Sequence, residues 1–130
     1  MIVVDASVLA PAVADDGDDG DRARARLHGE RLVAPALVDL EVTSVLRRAA
    51  LGGRLDPRRA AQALADLRAL PLARAAHPPL LDRIWELREN VTAYDGAYVA
   101  LAEAMRAPLI TADGRLAAAP GLRCAIEVLA

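Results

Sequence analysis

Five short apolar runs punctuate this chain: "IVV" at 2–4, "RLVAP" at 31–35, "LPLARA" at 70–75, "APLITADG" at 107–114 and "LRCAIEVL" at 122–129. Helix-forming sequence separates them. Residues 7–13 are helical in character despite Pro11, and "RARARLHG" reads as a short helix ending at Gly29. A longer helix around Glu41 ends near Gly52 and Gly53. Asp56 is placed to cap the next helix, with Pro57 just inside it, which then runs to about Leu67. "PPLLDRIWELREN" and "TAYDGAYVALAEAMR" supply two more helices. Short buried strands alternating with helices predict an α/β fold on a mainly parallel sheet.

The chain has 130 residues, which predicts a single domain spanning 1–130. Hydrophobic residues make up 55% and aromatic residues only 2%, with no Phe. The core must therefore be built from Leu, Val, Ile and Ala. Scarce aromatics also weaken any scheme that binds nucleic acid on stacking platforms alone. The net charge of −2 gives no overall basic excess. All 16 basic residues are Arg, so no Lys is present to form a Schiff base or anchor a phosphate. Cys124 is the only cysteine, which excludes an internal disulfide, and "LRCAIEV" suggests a small buried residue in a strand. "MIVVDASVLAPAV" lacks a basic leading segment and is interrupted by Asp5 and Pro11, unlike a signal peptide. No apolar run is long enough to span a membrane. A soluble, cytoplasmic protein is expected.

Four acids occupy unusual positions. Glu41 falls among Leu37, Val38, Leu40 and Val45 in a helix that should pack into a core. At about 100° per residue it projects between Leu37 and Val45, whereas Asp39 falls on the opposite, solvated face. A carboxylate buried there needs a partner or a metal. Arg48 is two turns away, too far for a good helical pair. Asp5 directly follows the first strand, where open parallel sheets place their sites, although capping the next helix is the simpler role. Asp95 stands three residues after Thr92 in a capping-box spacing, and a first-turn carboxylate can also face a cleft. Asp113 follows "LITA" at a strand end, in a "DG" pair that suits a turn. Thr111 points to the same side of that strand as Asp113. Sheet logic sends Asp5 and Asp113 to one edge, with Asp95 near it. Clustered carboxylates repel each other unless a hard divalent cation joins them. No cysteine or histidine set competes for zinc, since His28 and His77 are isolated and expected to be exposed. "DDGDDGD" at 15–21 fails the EF-hand spacing and reads as a solvated loop.

"MIVVDASVLA", "LVDLEVTSVL" and "TAYDGAYVALAEAMRAPLITADGRL" together resemble the PIN-domain ribonucleases, in particular toxins of VapBC toxin–antitoxin pairs. The resemblance runs from Met1 to about Leu116. It implies an α/β/α sandwich with a central, mainly parallel sheet. It also implies RNA cleavage with Mg²⁺ or Mn²⁺, a homodimer, and inhibition by a cognate antitoxin that covers the active-site groove. The family's acidic quartet falls on Asp5, Glu41, Asp95 and Asp113, which become the expected catalytic and metal-binding residues. The hydroxyl before the last acid falls on Thr111, which joins the expected catalytic residues, and Ser7 matches a small hydroxyl residue after the first. Asp5 and Asp95 are expected to hold the principal metal, with Asp113 and Glu41 completing the pocket directly or through water. Because an acidic pocket repels RNA, cations must hold the substrate elsewhere. Arg47, Arg48, Arg54, Arg58 and Arg59 are candidates, as are Arg22, Arg24 and Arg26, although a solvated helix face is the simpler role for each. Two other classes remain: a Mg-binding phosphoacceptor signalling domain, which normally needs a lysine this chain lacks, and an inactive binding module, against which the intact quartet argues. Cleavage of DNA is also compatible with this chemistry.

Overall fold

The computed structural model describes residues 1–130. Five strands form one sheet: β1 (Ile2–Val4), β2 (Leu32–Pro35), β3 (Leu72–Ala75), β4 (Leu109–Thr111) and β5 (Ile126–Val128). Their order is β3-β2-β1-β4-β5 and every pairing is parallel. β1, β2 and β4 are buried on every residue, which is why they read as continuous apolar runs rather than alternating ones. The strand order grows outward from β1 through β2 to β3, then restarts on the other side with β4 and β5. The winding reverses between β1 and β4, and in open parallel sheets the crevice at such a reversal holds the ligand site. Asp5 and Thr111 stand at the carboxyl ends of these two strands.

Seven helices complete an α/β/α sandwich: α1 (Ala6–Ala14), α2 (Asp18–Leu27), α3 (Val38–Leu51), α4 (Pro57–Ala69), α5 (Leu81–Glu86), α6 (Ala93–Met105) and α7 (Gly114–Ala118). α1 packs against α2, α3 and α4, while α6 lies against β1, β2 and β4 and carries α5. The core is aliphatic, as the composition requires, with Leu9, Val38, Val42, Val99, Leu109 and Ile110 almost fully enclosed. Tyr98 is its only aromatic member. No helix is long and apolar enough to cross a membrane.

Several local expectations need correction. "DDGDDGD" is not all loop, because α2 begins at Asp18 and places Asp18, Asp19 and Asp21 in its first turn, where the helix dipole favours negative charge. Only Pro78–Glu86 of "PPLLDRIWELREN" is helical, as a 3₁₀ turn followed by α5. α7 was not anticipated, being only five residues long. Cys124 is half-buried and precedes β5 rather than lying in it. His77 is half-buried and its Nε2 accepts the Leu37 N–H at 3.0 Å, tying β3 to the start of α3. Asp39 is not a free surface acid, because Arg74 grips both of its carboxylate oxygens at 3.0–3.3 Å. The buried stripe of α3 is Val38, Val42 and Leu46, an i, i+4, i+8 row. Leu40 is 75% exposed and Val45 is exposed too, so Glu41 sits at the margin of the stripe rather than within it.

Candidate functional site

The site is built on the β1 and β4 ends. Backbone pairing continues past the strand, since the Asp5 N–H donates to the Ile110 carbonyl at 2.9 Å. Asp5 occupies the cap position of α1, but its side chain makes no capping hydrogen bond. The simpler role read from sequence is therefore not the one its carboxylate performs. Instead, Ser7 Oγ and Thr111 Oγ1 each donate to Asp5 Oδ2 at 2.7 Å. A hydroxyl has a single proton to give, so both residues commit theirs to the same oxygen. Each hydroxyl also accepts a backbone N–H: Ser7 Oγ accepts that of Ala112 at 2.9 Å, and Thr111 Oγ1 that of Asp113 at 3.0 Å. The two hydroxyls lock the Asp5 carboxylate in one orientation and leave Oδ1 without a protein donor, free for a ligand.

Thr111 is fully buried and Asp5 is 8% exposed. Thr111→Val keeps the shape but strands the Asp113 N–H and removes one donor from Asp5. The expected cost is about 1–3 kcal/mol, read as a lower midpoint in thermal or denaturant unfolding. An unchanged midpoint would show that the hydroxyl contributes nothing to the anchoring of Asp5.

Asp95 lies in the first turn of α6. Thr92 caps that helix by accepting the Asp95 N–H at 3.1 Å, while the Asp95 carboxylate makes no bond back to Thr92 N–H, so only half of the capping box forms. The carboxylate is left to face the cleft. Burial, and then the charges of Asp5 and Asp113, push its pKa above the ordinary aspartate value. Asp113 caps α7 by accepting the Arg115 N–H on Oδ1 at 3.0 Å. Its turn role and its place in the cleft coexist.

Glu41 has a partner that the sequence did not disclose. Tyr98 Oη donates to Glu41 Oε1 at 2.6 Å. Tyr98 is 1% exposed, one turn along α6 from Asp95, so the same helix face delivers both groups. That i, i+3 spacing was the available signal. The Glu41 pKa is raised, first by burial and then by Asp5 and Asp95, with the Tyr98 bond acting in the opposite direction. The Tyr98 hydroxyl is pushed far above its usual value by burial and by Glu41, so it stays a donor.

The electrostatics thus link the acids in a chain: Glu41 feels Asp5 and Asp95, and Asp95 feels Asp5 and Asp113. As they stand, no three Asp, Glu, His or Cys side chains are arranged to grip an ion. Mg²⁺ does not require such a cage, because it is usually held through one or two carboxylates with several waters retained. The donor chemistry fits a hard cation: oxygen ligands only, mutual repulsion to be relieved, and an unpaired Oδ1 on Asp5. Of the eight arginines suggested for the substrate, four are paired with neighbouring acids. Arg22, Arg24 and Arg26 pair with Asp19, Asp21, and Glu30 and Glu127, while Arg59 pairs with Asp16.

A family model described as the PIN domain matches residues 2–122. Ribonuclease VapC9 of Mycobacterium tuberculosis is 45% identical over 129 residues, covering 99% of this chain and 98% of that protein. Ribonuclease VapC12 of the same species is 38% identical over 130 residues, covering both chains completely. Among solved structures, PAE2754 from Pyrobaculum aerophilum superposes with a TM-score of 0.73 at 29% identity, covering 98% of this chain and 83% of that one. The M. tuberculosis VapC20 structure, a sarcin–ricin loop cleaving toxin, superposes with a TM-score of 0.72 at 19% identity over 95% of this chain and 97% of that one. At that identity the likeness speaks for the fold.

Proposed function

This chain belongs to the PIN-domain family and is an endoribonuclease, the toxin half of a toxin–antitoxin pair, and we propose that its acids work around a divalent cation, Mg²⁺ or Mn²⁺. The single observation that carries the proposal is the linked set of carboxylates at the β1–β4 reversal, with Asp5 held by two hydroxyls and one oxygen open. When bound, the cation would acidify a water and offset charge on the phosphate. Asp5 offers Oδ1 to it. Asp95 and Asp113 supply further oxygens, and Glu41 is the fourth acid, aimed by Tyr98. Ser7 and Thr111 act through Asp5 by fixing its orientation.

The substrate is RNA and the expected protein partner is a cognate antitoxin. A homodimer and a cytoplasmic location belong to the same reading. Support for a protein partner comes from Leu40 and Leu51 on α3, which are 75% and 73% exposed and present apolar surface without an intramolecular role.

The decisive assay incubates purified protein with total cellular RNA in Mg²⁺ or Mn²⁺, with EDTA as the control. Cleavage only with the metal, and its loss in Asp95→Asn, supports the proposal. A folded Asp95→Asn variant that cleaves normally removes that acid from the chemistry.

Repulsion among the acids has a consequence for stability. Glu41 and Asp95 have pKa values raised in the folded chain above their unfolded values. At low pH both states bind the proton and no penalty exists. As pH rises past the ordinary carboxylate range, the unfolded chain loses its protons first, so folding becomes less favourable until the folded pKa is passed. In EDTA at neutral pH, Glu41→Gln and Asp95→Asn are each expected to raise the melting temperature by roughly 2–4 °C. Each variant should also flatten the decline between acid and neutral pH. Adding Mn²⁺ should stabilise the wild type more than either variant. Equal melting curves for all three proteins would contradict the repulsion.

A further inference from the structure

We propose that Arg88 and Arg115 form the phosphate-holding rim of the RNA site, gripping the strand beside the scissile bond. The inference rests on the reading that this chain cuts RNA.

A cleft of about 510 Å³ opens at the start of α6. Asp95 and Asp113 line it, and so do Arg88, Arg115, Asn90 and Thr92. Glu89 is the one further acid on its wall. The carboxylates alone would repel a polyanion, so the strand needs cations at a short distance from them.

Arg88 and Arg115 are the two cations that line the cleft, and their charge is less committed than that of Arg22, Arg24, Arg26 and Arg59. Arg88 has no carboxylate partner. Its guanidinium lies 4.6 Å from the centre of the Trp85 ring, and one of its amino groups donates to the Trp85 carbonyl at 3.0 Å. The side chain is therefore held in place by an indole and a backbone oxygen, and its charge remains available. Trp85 is 67% exposed and serves no core. The Arg115 side chain is 94% exposed, and only a long 3.4 Å contact from its Nε to Asp113 restrains it. By contrast, Arg22, Arg24, Arg26 and Arg59 spend their charge on neighbouring acids. A guanidinium fork matches the geometry of a phosphate. Two such groups beside Asp95 and Asp113 would seat the backbone on the far side of the bond to be cut, with the acids on the near side.

The test measures anisotropy of a labelled 16-nucleotide single-stranded RNA of mixed sequence titrated with the full chain. EDTA is present so that no cleavage competes, and NaCl is varied. Arg88→Gln and Arg115→Gln are each expected to weaken binding by about five- to tenfold. Each should also lower the slope of log affinity against log salt by about 0.7, the share of one phosphate on a single strand. Arg68→Gln, an exposed arginine in the last turn of α4 and away from the cleft, should leave both quantities unchanged. Both cleft side chains are exposed, so melting temperatures should hold and confirm that folding is intact. Wild-type binding that neither cleft variant alters, or no wild-type binding at all, overturns the inference. A change in molecular mass of either variant by sedimentation also overturns it, by showing that the cleft seats a second copy of the chain. If wild type fails to cut RNA with Mn²⁺ yet binds it through these arginines, the nuclease reading falls and the rim stands. If it cuts RNA and the variants bind normally, only the rim falls.

Discussion

Asp5→Asn is expected to lower RNA cleavage by at least about a hundredfold while leaving the fold in place. The amide oxygen of asparagine can still accept the protons of Ser7 and Thr111, which both point at Oδ2. That orientation places the NH₂ group where Oδ1 stands. A donor then faces the cleft in place of the open acceptor of Asp5, and a full negative charge is gone. Metal assistance contributes several kcal/mol to a phosphoryl transition state, and each 1.36 kcal/mol is a factor of ten in rate. Losing even half of that contribution accounts for the expected drop. Initial rates on RNA, with circular dichroism and melting curves as controls, measure it. A folded variant within tenfold of wild type would show that Asp5 is a structural anchor only.

The largest expected loss of stability lies at Gly20. α2 packs its Gly20 against the end of α1 so closely that an added Cβ would stand 1.8 Å from the Asp15 carbonyl oxygen and 2.7 Å from its carbon. The obstacle is backbone and cannot swing aside. The same carbonyl accepts a 2.7 Å bond from Arg24, which also reaches the Ala12 carbonyl, so moving it breaks a second attachment. Gly20→Ala should cost about 3 kcal/mol or more, the upper end of overpacking penalties. A melting temperature lower by roughly 10 °C is expected. A shift under 2 °C would mean that the two helices separate freely. This contact also explains "DDGDDGD" without a calcium ion: its second glycine is there for close helix packing, and three of its acids suit a helix start.

The parallel sheet was legible because β1, β2 and β4 are buried on every residue and leave unbroken apolar runs. Asp5 and Asp113 were legible for the same reason, as the first acids after such runs. Asp95 was marked by its spacing from Thr92, and that cap forms. What stayed hidden depends on contacts between distant segments. Tyr98 meets Glu41 across 57 residues; its spacing from Asp95 puts it on the cleft face of α6, but nothing local to either residue names the other as its partner. Asp39 reads as solvated on a helix wheel, yet Arg74 on β3 reaches it. Leu40 reads as core because the wheel cannot say how wide the buried stripe is, and α3 buries only a narrow row. α7 is a single short turn of helix, below the length at which a periodic pattern exists. The arginines followed the same division: their number was visible, but which ones neutralise acids and which face the cleft required the fold.

The claim beneath all of this is that charged oxygens from four separate segments share a place and need a cation there. Calorimetric titration with Mn²⁺, in two buffers of different ionisation heat and at two pH values, tests it most directly. Burial and neighbouring charge raise Glu41 and Asp95, so binding should release protons and weaken as pH falls. Asp5→Asn and Asp95→Asn should each lose at least about tenfold in affinity. Equal affinity at both pH values, no proton release and unaltered binding by both variants would contradict the account.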